Sequence, residues 1–332
     1  MQIFQVQFAE WWHSIIAVQE DRFTESLTLS ILLDFPTRIF PADWFSGAYR
    51  MHRLAISEFS TYSWSLEQEV QEFSRRGIRQ IGLWRTKLSD LEIDAAADLL
   101  YASDIRVSSL SWAGGFTGTC GMSFEEAVED AMLAIRTAAR IGSGCLVVHP
   151  GSRGGHTRNH ACKLFRTALD RLLPVASDYG VTLGIEIMEC TEAAPWTVMD
   201  SQQQVIDLVR NYATSCLGLV LDLFYVGKNE SVVEEIAGGS PNVVLVQVSD
   251  RLENRDGTAS RCAPGEGDVP FARWFEALSK AGYTGPWEME LHGPMFGPSR
   301  YRKLLDDSVA FLQQLRDQSK RNRSMSTSFR SL

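Results

Sequence analysis

From Met51 onward, short runs dominated by Val, Ile and Leu alternate with longer stretches in which apolar residues recur every three or four positions. Apolar runs without polar alternation suit strands buried on both faces, and the three-to-four spacing suits helices that cover them. The pattern predicts strands at 53–59, 78–84, 105–112, 144–149, 181–187, 216–222, 243–249 and 285–291. It predicts helices at 65–77, 89–103, 123–142, 157–180, 200–213, 231–238, 270–282 and 298–316. Strict alternation of eight strands with eight helices predicts a single (β/α)8 barrel, a fold of about 250 residues. A doubly wound open sheet fits less well, because no Gly-rich phosphate loop follows the first strand.

Punctuation between the runs supports this register. Ser65 and Ser123 precede acidic first turns, at Glu67 and Glu69 and at Glu125 and Glu126, as helix N-caps do. Gly77, Gly142, Gly180 and Gly282 stand where helices should end and strands begin. The barrel is assigned to 51–316. Residues 1–50, rich in Trp and Phe and broken by Pro36 and Pro41, form an N-terminal extension with two open readings, a segment packed over the barrel or a start assigned too early. Residues 317–332 are basic and Ser-rich and are expected to form a disordered tail.

Composition narrows the partners. With 332 residues, 45% of them hydrophobic, the chain can bury a large core. A formal net charge of −9 disfavours a nucleic-acid binder, which needs a basic face. Cys120, Cys145, Cys162, Cys190, Cys216 and Cys262 are spread singly and suggest neither a zinc ribbon nor a disulfide framework. No apolar stretch approaches the roughly 20 residues that span a bilayer, and a cytoplasmic location is expected. Homo-oligomerisation is left open.

Four polar residues recur at one kind of place. Glu186, Asp222, Gln247 and Glu290 each close or nearly close an apolar run, on the fifth to eighth predicted strands. Parallel strands direct these ends to one rim, where active sites of such barrels lie. Three carboxylates and an amide gathered there need a compensating positive charge, and a divalent metal is the simplest source. An oxygen-only donor set favours Mg²⁺ or Mn²⁺, with Co²⁺ and Zn²⁺ also open. Trp84, Trp112 and His149 end the second, third and fourth strands, where they could meet the C–H face or an oxygen of a sugar. Arg261 either binds substrate or anchors its loop to Asp250 or Glu266.

Over roughly 51–315 the chain resembles the xylose isomerase-like TIM barrels, which include sugar isomerases and epimerases. The resemblance rests on Glu186 in GIEIME, Asp222 in VLDLFY, Gln247 in VQVSD, the RCAPGEGDVPF stretch with Arg261, and Glu290 in AGYTGPWEMEL. It implies one divalent metal held by Glu186, Asp222, Gln247 and Glu290, with Gln in place of the commoner His as in hydroxypyruvate isomerase. It further implies proton exchange through an enediolate, with Glu186 and Glu290 as base and acid and Glu192 near substrate. Tyr225 stands where many epimerases of the family carry His, and Tyr is a poor base near neutrality. Without a strand-ending lysine like that of xylose isomerase, unless Lys87 folds back, proton transfer is favoured over a hydride shift. The expected function is therefore a metal-dependent isomerase or epimerase of a sugar or keto-sugar. A lyase or dehydratase on the same metal site and a non-catalytic sugar-binding barrel are the alternatives. A DNA-repair endonuclease, which needs more His ligands, is disfavoured by the six histidines and the net charge.

Overall fold

The computed structural model describes residues 53–89, 91–188, 196–199, 201–239, 242–255, 257–291 and 297–328. Eight strands close into a parallel barrel in the order β1-β10-β7-β6-β5-β4-β3-β2. They are β1 (Leu54–Ser57), β2 (Gln80–Trp84), β3 (Arg106–Gly114), β4 (Cys145–His149), β5 (Thr182–Ile187), β6 (Leu217–Asp222), β7 (Val243–Val248) and β10 (Trp287–Met289). Each lies within or overlaps a predicted run. The two remaining strands, β8 (Asp250–Glu253) and β9 (Ala259–Cys262), form an antiparallel hairpin above the barrel that the apolar pattern did not reveal. The N-terminal extension, residues 1–50, lies outside the described residues.

Helix boundaries follow from local chemistry. Ser65 accepts a hydrogen bond from the Gln68 amide while the Gln68 side chain accepts from the Ser65 amide, and Ser123 and Glu126 form the same reciprocal cap. Gly180 ends the helix Arg158–Tyr179 at φ +65°, a conformation that a β-carbon disfavours. The last helix runs Tyr301–Ser328 and so continues into the basic segment from 317 that composition had left as a tail. Its Tyr301, Leu304, Leu305, Leu312 and Leu315 are buried. Lys, Arg and Gln lose little rotamer freedom in a helix, and a packed first half supplies the nucleus for such an extension.

Two layers of apolar packing result. Outward-facing strand residues such as Leu183, Ile185, Leu219, Leu221, Trp287 and Met289 pack under the helices. A smaller cluster of Cys145, Val147, Val220 and Leu245 fills the barrel interior, with Trp112 and Val244 against it. These inward residues alternate with the outward ones, as the period of a strand requires. Because Glu186, Asp222, Gln247 and Glu290 share the inward parity of Gly184, Val220, Leu245 and Glu288, they stand on that apolar floor. Cys145, Cys162 and Cys262 are buried and Cys120 and Cys216 half-buried, all as free thiols.

Candidate active site

The quartet is assembled at the carboxyl rim, and every member is nearly inaccessible to solvent. Glu186 is 6% exposed, Asp222 0%, Gln247 1% and Glu290 7%. Asp222 and Gln247 are register partners on β6 and β7. Glu290 follows β10 directly and its amide donates to the Val248 carbonyl at 3.0 Å. Ser60 holds this turn on both sides, donating to the Met289 carbonyl at 3.0 Å and accepting from the Leu291 amide at 2.8 Å. The seam between the first and last barrel strands thus fixes the backbone of Glu290.

Hydrogen bonds join Gln247 to Glu290 directly and tie Glu186 and Asp222 to neighbouring residues. Gln247 Nε2 donates to Glu290 Oε2 at 2.6 Å, which leaves Gln247 Oε1 buried with no partner. His149 Nε2 lies 2.7 Å from Glu186 Oε2. Asp222 Oδ1 accepts from the Phe224 amide at 2.9 Å and so also caps the short helix Leu223–Val226. Arg261, delivered by β9, reaches over the rim and pairs with both oxygens of Asp222. It donates to Ser249 Oγ at 3.0 Å and lies over the rings of Phe224 at 4.6 Å and Tyr225 at 5.5 Å.

That pairing corrects the expected anchors of Arg261. Asp250 is occupied elsewhere, accepting from the amides of Gly265 at 2.8 Å, Gly267 at 3.0 Å and Val269 at 2.9 Å. Glu266 accepts from the Ala263 amide at 3.2 Å. Asp250 therefore ties down the loop after the hairpin, while Arg261 is left to the rim.

Crowding shows in the acidities. Burial raises the Glu290 carboxyl well above its ordinary value, Arg261 opposes the rise, and Glu186, Asp222 and Glu288 add to it. Burial also raises Asp222, against the pull of Arg261. Burial works against the charge of Arg261, but Asp222, Tyr225 and Glu290 more than offset it and its pKa rises. Glu288, one inward step below Glu290, is pushed up to about 7 by burial, although Ser108 and Ser109 donate to it. Gly82 makes room for that carboxyl, since a β-carbon there would lie 2.5 Å from Glu288 Cδ. Among the described residues no three His, Cys, Asp or Glu side chains already stand as a metal-holding group. Arg261 draws Asp222 toward itself, and Gln247 takes one oxygen of Glu290.

The aromatic candidates separate into two groups. Trp112 packs on His149 at 5.3 Å and meets Trp196 edge-on at 5.3 Å. Trp84 packs instead on Phe59 at 5.0 Å and Tyr62 at 5.7 Å, and its amide donates to Glu58 Oε2 at 2.5 Å. Lys87 does fold back, but onto Glu69 at 2.7 Å and Glu58 at 3.3 Å. Tyr225 is half-buried, and desolvation raises its phenol, which further disqualifies it as a base near neutrality. Glu192 lies outside the described residues. Sequence reasoning missed Glu288, Trp196, Ser60 and the Glu58–Lys87–Glu69 group. Only Glu288 carried a signal, its two-residue spacing from Glu290.

The closed parallel barrel brings three buried acids and an amide to the carboxyl ends of its last four strands, the rim where active sites of such barrels lie. The chain belongs to the xylose isomerase-like TIM-barrel family, whose model matches residues 70–315. It is 30% identical over 128 residues to L-ribulose-5-phosphate 3-epimerase UlaE of Salmonella typhi, a match covering 38% of this chain and 42% of that protein. The chain thus spans less than half the length of this curated relative. A solved IOLI protein with a binding zinc atom shares the fold at a TM-score of 0.69 and 18% identity, covering 79% of this chain and 97% of that one. A solved L-ribulose 3-epimerase aligns at a TM-score of 0.67 and 17% identity, covering 83% and 98%. No helix among the described residues is long and apolar enough to cross a membrane.

Proposed function

We propose that the chain is a divalent-metal-dependent isomerase or epimerase of a sugar or keto-sugar that works by proton transfer. The observation that carries this reading is the buried, unpartnered Gln247 Oε1 beside the carboxylates of Glu186, Asp222 and Glu290. An orphaned acceptor among three buried acids, two of which, Asp222 and Glu290, are pushed up in pKa, suits a hard cation, so the donor set fits the metal implied by its chemistry. Glu186, Asp222, Gln247 and Glu290 would hold the ion, with Mn²⁺ or Mg²⁺ favoured by an all-oxygen set and Co²⁺ or Zn²⁺ also accommodated. When bound, it supplies Lewis acidity that makes a C–H beside a carbonyl easier to ionise.

The chain's own residues do the rest. His149 holds one oxygen of Glu186 and Gln247 holds one oxygen of Glu290, so each carboxyl is oriented with its second oxygen left for substrate. Two carboxyls fixed in this way can take a proton from one face of a carbon and return it to the other. Arg261 pairs with Asp222 and opposes the effect of its burial, and Tyr225 offers a hydroxyl for hydrogen bonding. Trp112 presents an apolar face of the kind that packs against sugar C–H groups, and Trp84 is a further substrate candidate. The epimerase names of the relatives support a sugar as substrate.

Elemental analysis of the purified full chain tests the proposal, with Glu290→Ala beside it and circular dichroism to check folding. About one divalent ion per wild-type chain, lost in the variant, is expected, together with solvent deuterium uptake into a ketose. A wild type that neither carries metal nor acquires it on dialysis against Mn²⁺ would falsify the metal-site reading.

A further inference from the structure

One polar atom of the rim is unexplained by the metal reading. His149 is 7% exposed, and its ring lies between Trp112 at 5.3 Å and Trp196 at 5.6 Å. Both flanks of the ring are fixed through the backbone. Gly115 donates to the His149 carbonyl at 3.3 Å, and Gly151 donates to the Trp196 carbonyl at 2.9 Å. At Gly114 a β-carbon would come within 2.0 Å of the same His149 carbonyl oxygen, so the neighbouring strand can approach only through glycine. The imidazole is therefore held in a single pose.

In that pose its two nitrogens have different fates. Nε2 meets Glu186 Oε2 at 2.7 Å, while Nδ1 is buried with no partner. A carboxylate can only accept, so Nε2 carries the proton, and in the tautomer with that single N–H the buried Nδ1 is an acceptor. A buried acceptor left unsatisfied is destabilising, and a ligand that donates to it recovers that cost. The ligand group must be a donor. A phosphate or carboxylate oxygen offers no proton at neutral pH and would bring a second negative charge toward Glu186. It must also tolerate two indole rings, which favour C–H surface.

We propose that His149 Nδ1 accepts a hydrogen bond from a substrate hydroxyl, and that the Trp112–His149–Trp196 end of the site takes an uncharged hydroxyl-bearing carbon. Any phosphate or carboxylate on the substrate then lies at the opposite end. This assignment rests on the sugar-site reading above, and it makes His149 a determinant of specificity as well as a support for Glu186.

Two substitutions separate these roles. His149→Gln places an amide nitrogen near the present Nε2 and keeps a donor for Glu186, but removes the Nδ1 acceptor. His149→Asn places an amide oxygen near Nδ1 and keeps the acceptor, but loses the bond to Glu186. Calorimetric titration of the Mn²⁺-loaded full chain with unphosphorylated ketopentoses and ketohexoses is the assay. The wild type should bind at least one sugar, Asn should hold it within about threefold, and Gln should weaken it by about tenfold or more, a change of about 1.4 kcal/mol. Gln binding as tightly as wild type, or Asn losing as much as Gln, overturns the assignment while leaving the sugar site standing. Failure of the wild type to bind any member of the panel removes the sugar site and this assignment together. Should Gln not fold, the ¹⁵N resonance of His149 Nδ1 in the wild type gives the same decision. It should shift as a bound ketose saturates the site, and an unchanged resonance at saturation overturns the proposal.

Discussion

Replacing Lys87 by Met removes the ammonium from a buried group that contains Glu58 and Glu69. Glu58 is 1% exposed and Glu69 0%, and the ammonium lies 3.3 Å from one and 2.7 Å from the other. Desolvation already raises the Glu69 carboxyl well above its ordinary value, with Glu58 adding to the rise and Lys87 opposing it. Without the ammonium the charge that opposes this rise is gone, and the least costly response of the buried acidic pair is to take up a proton. Protonating an ordinary glutamate at pH 7 costs about 3–4 kcal/mol, from roughly 2.7 pH units at 1.36 kcal/mol each. At pH 5 the same step costs about 1 kcal/mol. The pH 7 figure agrees in scale with the loss of about 3–5 kcal/mol seen when one partner of a buried ion pair is removed.

The sign of the pH dependence follows directly. A carboxyl whose folded pKa lies above its unfolded value stabilises the fold relative to higher pH while both states are protonated. That stability is lost as pH rises from the unfolded value through the folded one. Lys87→Met should therefore be destabilised by about 3 kcal/mol at pH 7 and about 1 kcal/mol at pH 5 relative to wild type. Urea unfolding followed by tryptophan fluorescence at the two pH values measures this, with metal content as a control that should not change. An equal loss at both pH values would mean that Lys87 acts through its packed methylenes rather than its charge. Loss of metal with stability intact would return Lys87 to the active site.

Other substitutions probe the architecture around the rim. Gly82→Ala should destabilise the barrel by about 1–3 kcal/mol through overpacking against Glu288, and the penalty should largely vanish in a Glu288→Ala background. A double-mutant cycle by urea unfolding gives the coupling, and strict additivity would show that the two residues do not meet. Asp250→Ala removes the acceptor shared by three loop amides, and should cost about 3 kcal/mol and open the 263–269 loop to limited proteolysis. A cleavage pattern identical to wild type would mean that the loop is held by other contacts.

The barrel was legible because burial on both faces leaves a plain mark in sequence. A strand such as Leu217–Asp222, buried throughout, has no place for a polar residue except at its rim end, and that is where Asp222 stands. The same logic located Glu186 and Gln247, and the cap serines fixed the helix starts. The hairpin carries no such mark. Its residues DRLE and ASRC are mostly polar and half-exposed, so neither apolar period nor burial signals a strand, and only the turn at Gly257 with φ +81° hints at one. The partner of Arg261 depended on that hairpin and was therefore unreadable. The contact of His149 with Glu186 joins residues 37 apart, yet both sit at the ends of neighbouring strands. It could have been inferred from strand order. Trp196 lies in a connection where no periodicity constrains the chain.

Arg261 comes from an excursion between β7 and the helix Phe271–Lys280, not from a barrel strand. Among the described residues the guanidinium contact to Asp222 is thus carried on a short hairpin, tied down by Asp250, by Arg251 on the Phe224 carbonyl at 3.2 Å and by Glu253 on Lys228 at 3.0 Å. Grafting a hairpin of different length or with a different basic residue would alter the electrostatic balance of the acids while the barrel kept its packing. For directed evolution, this hairpin is accordingly the place to diversify first, with strands β5 to β7 left untouched.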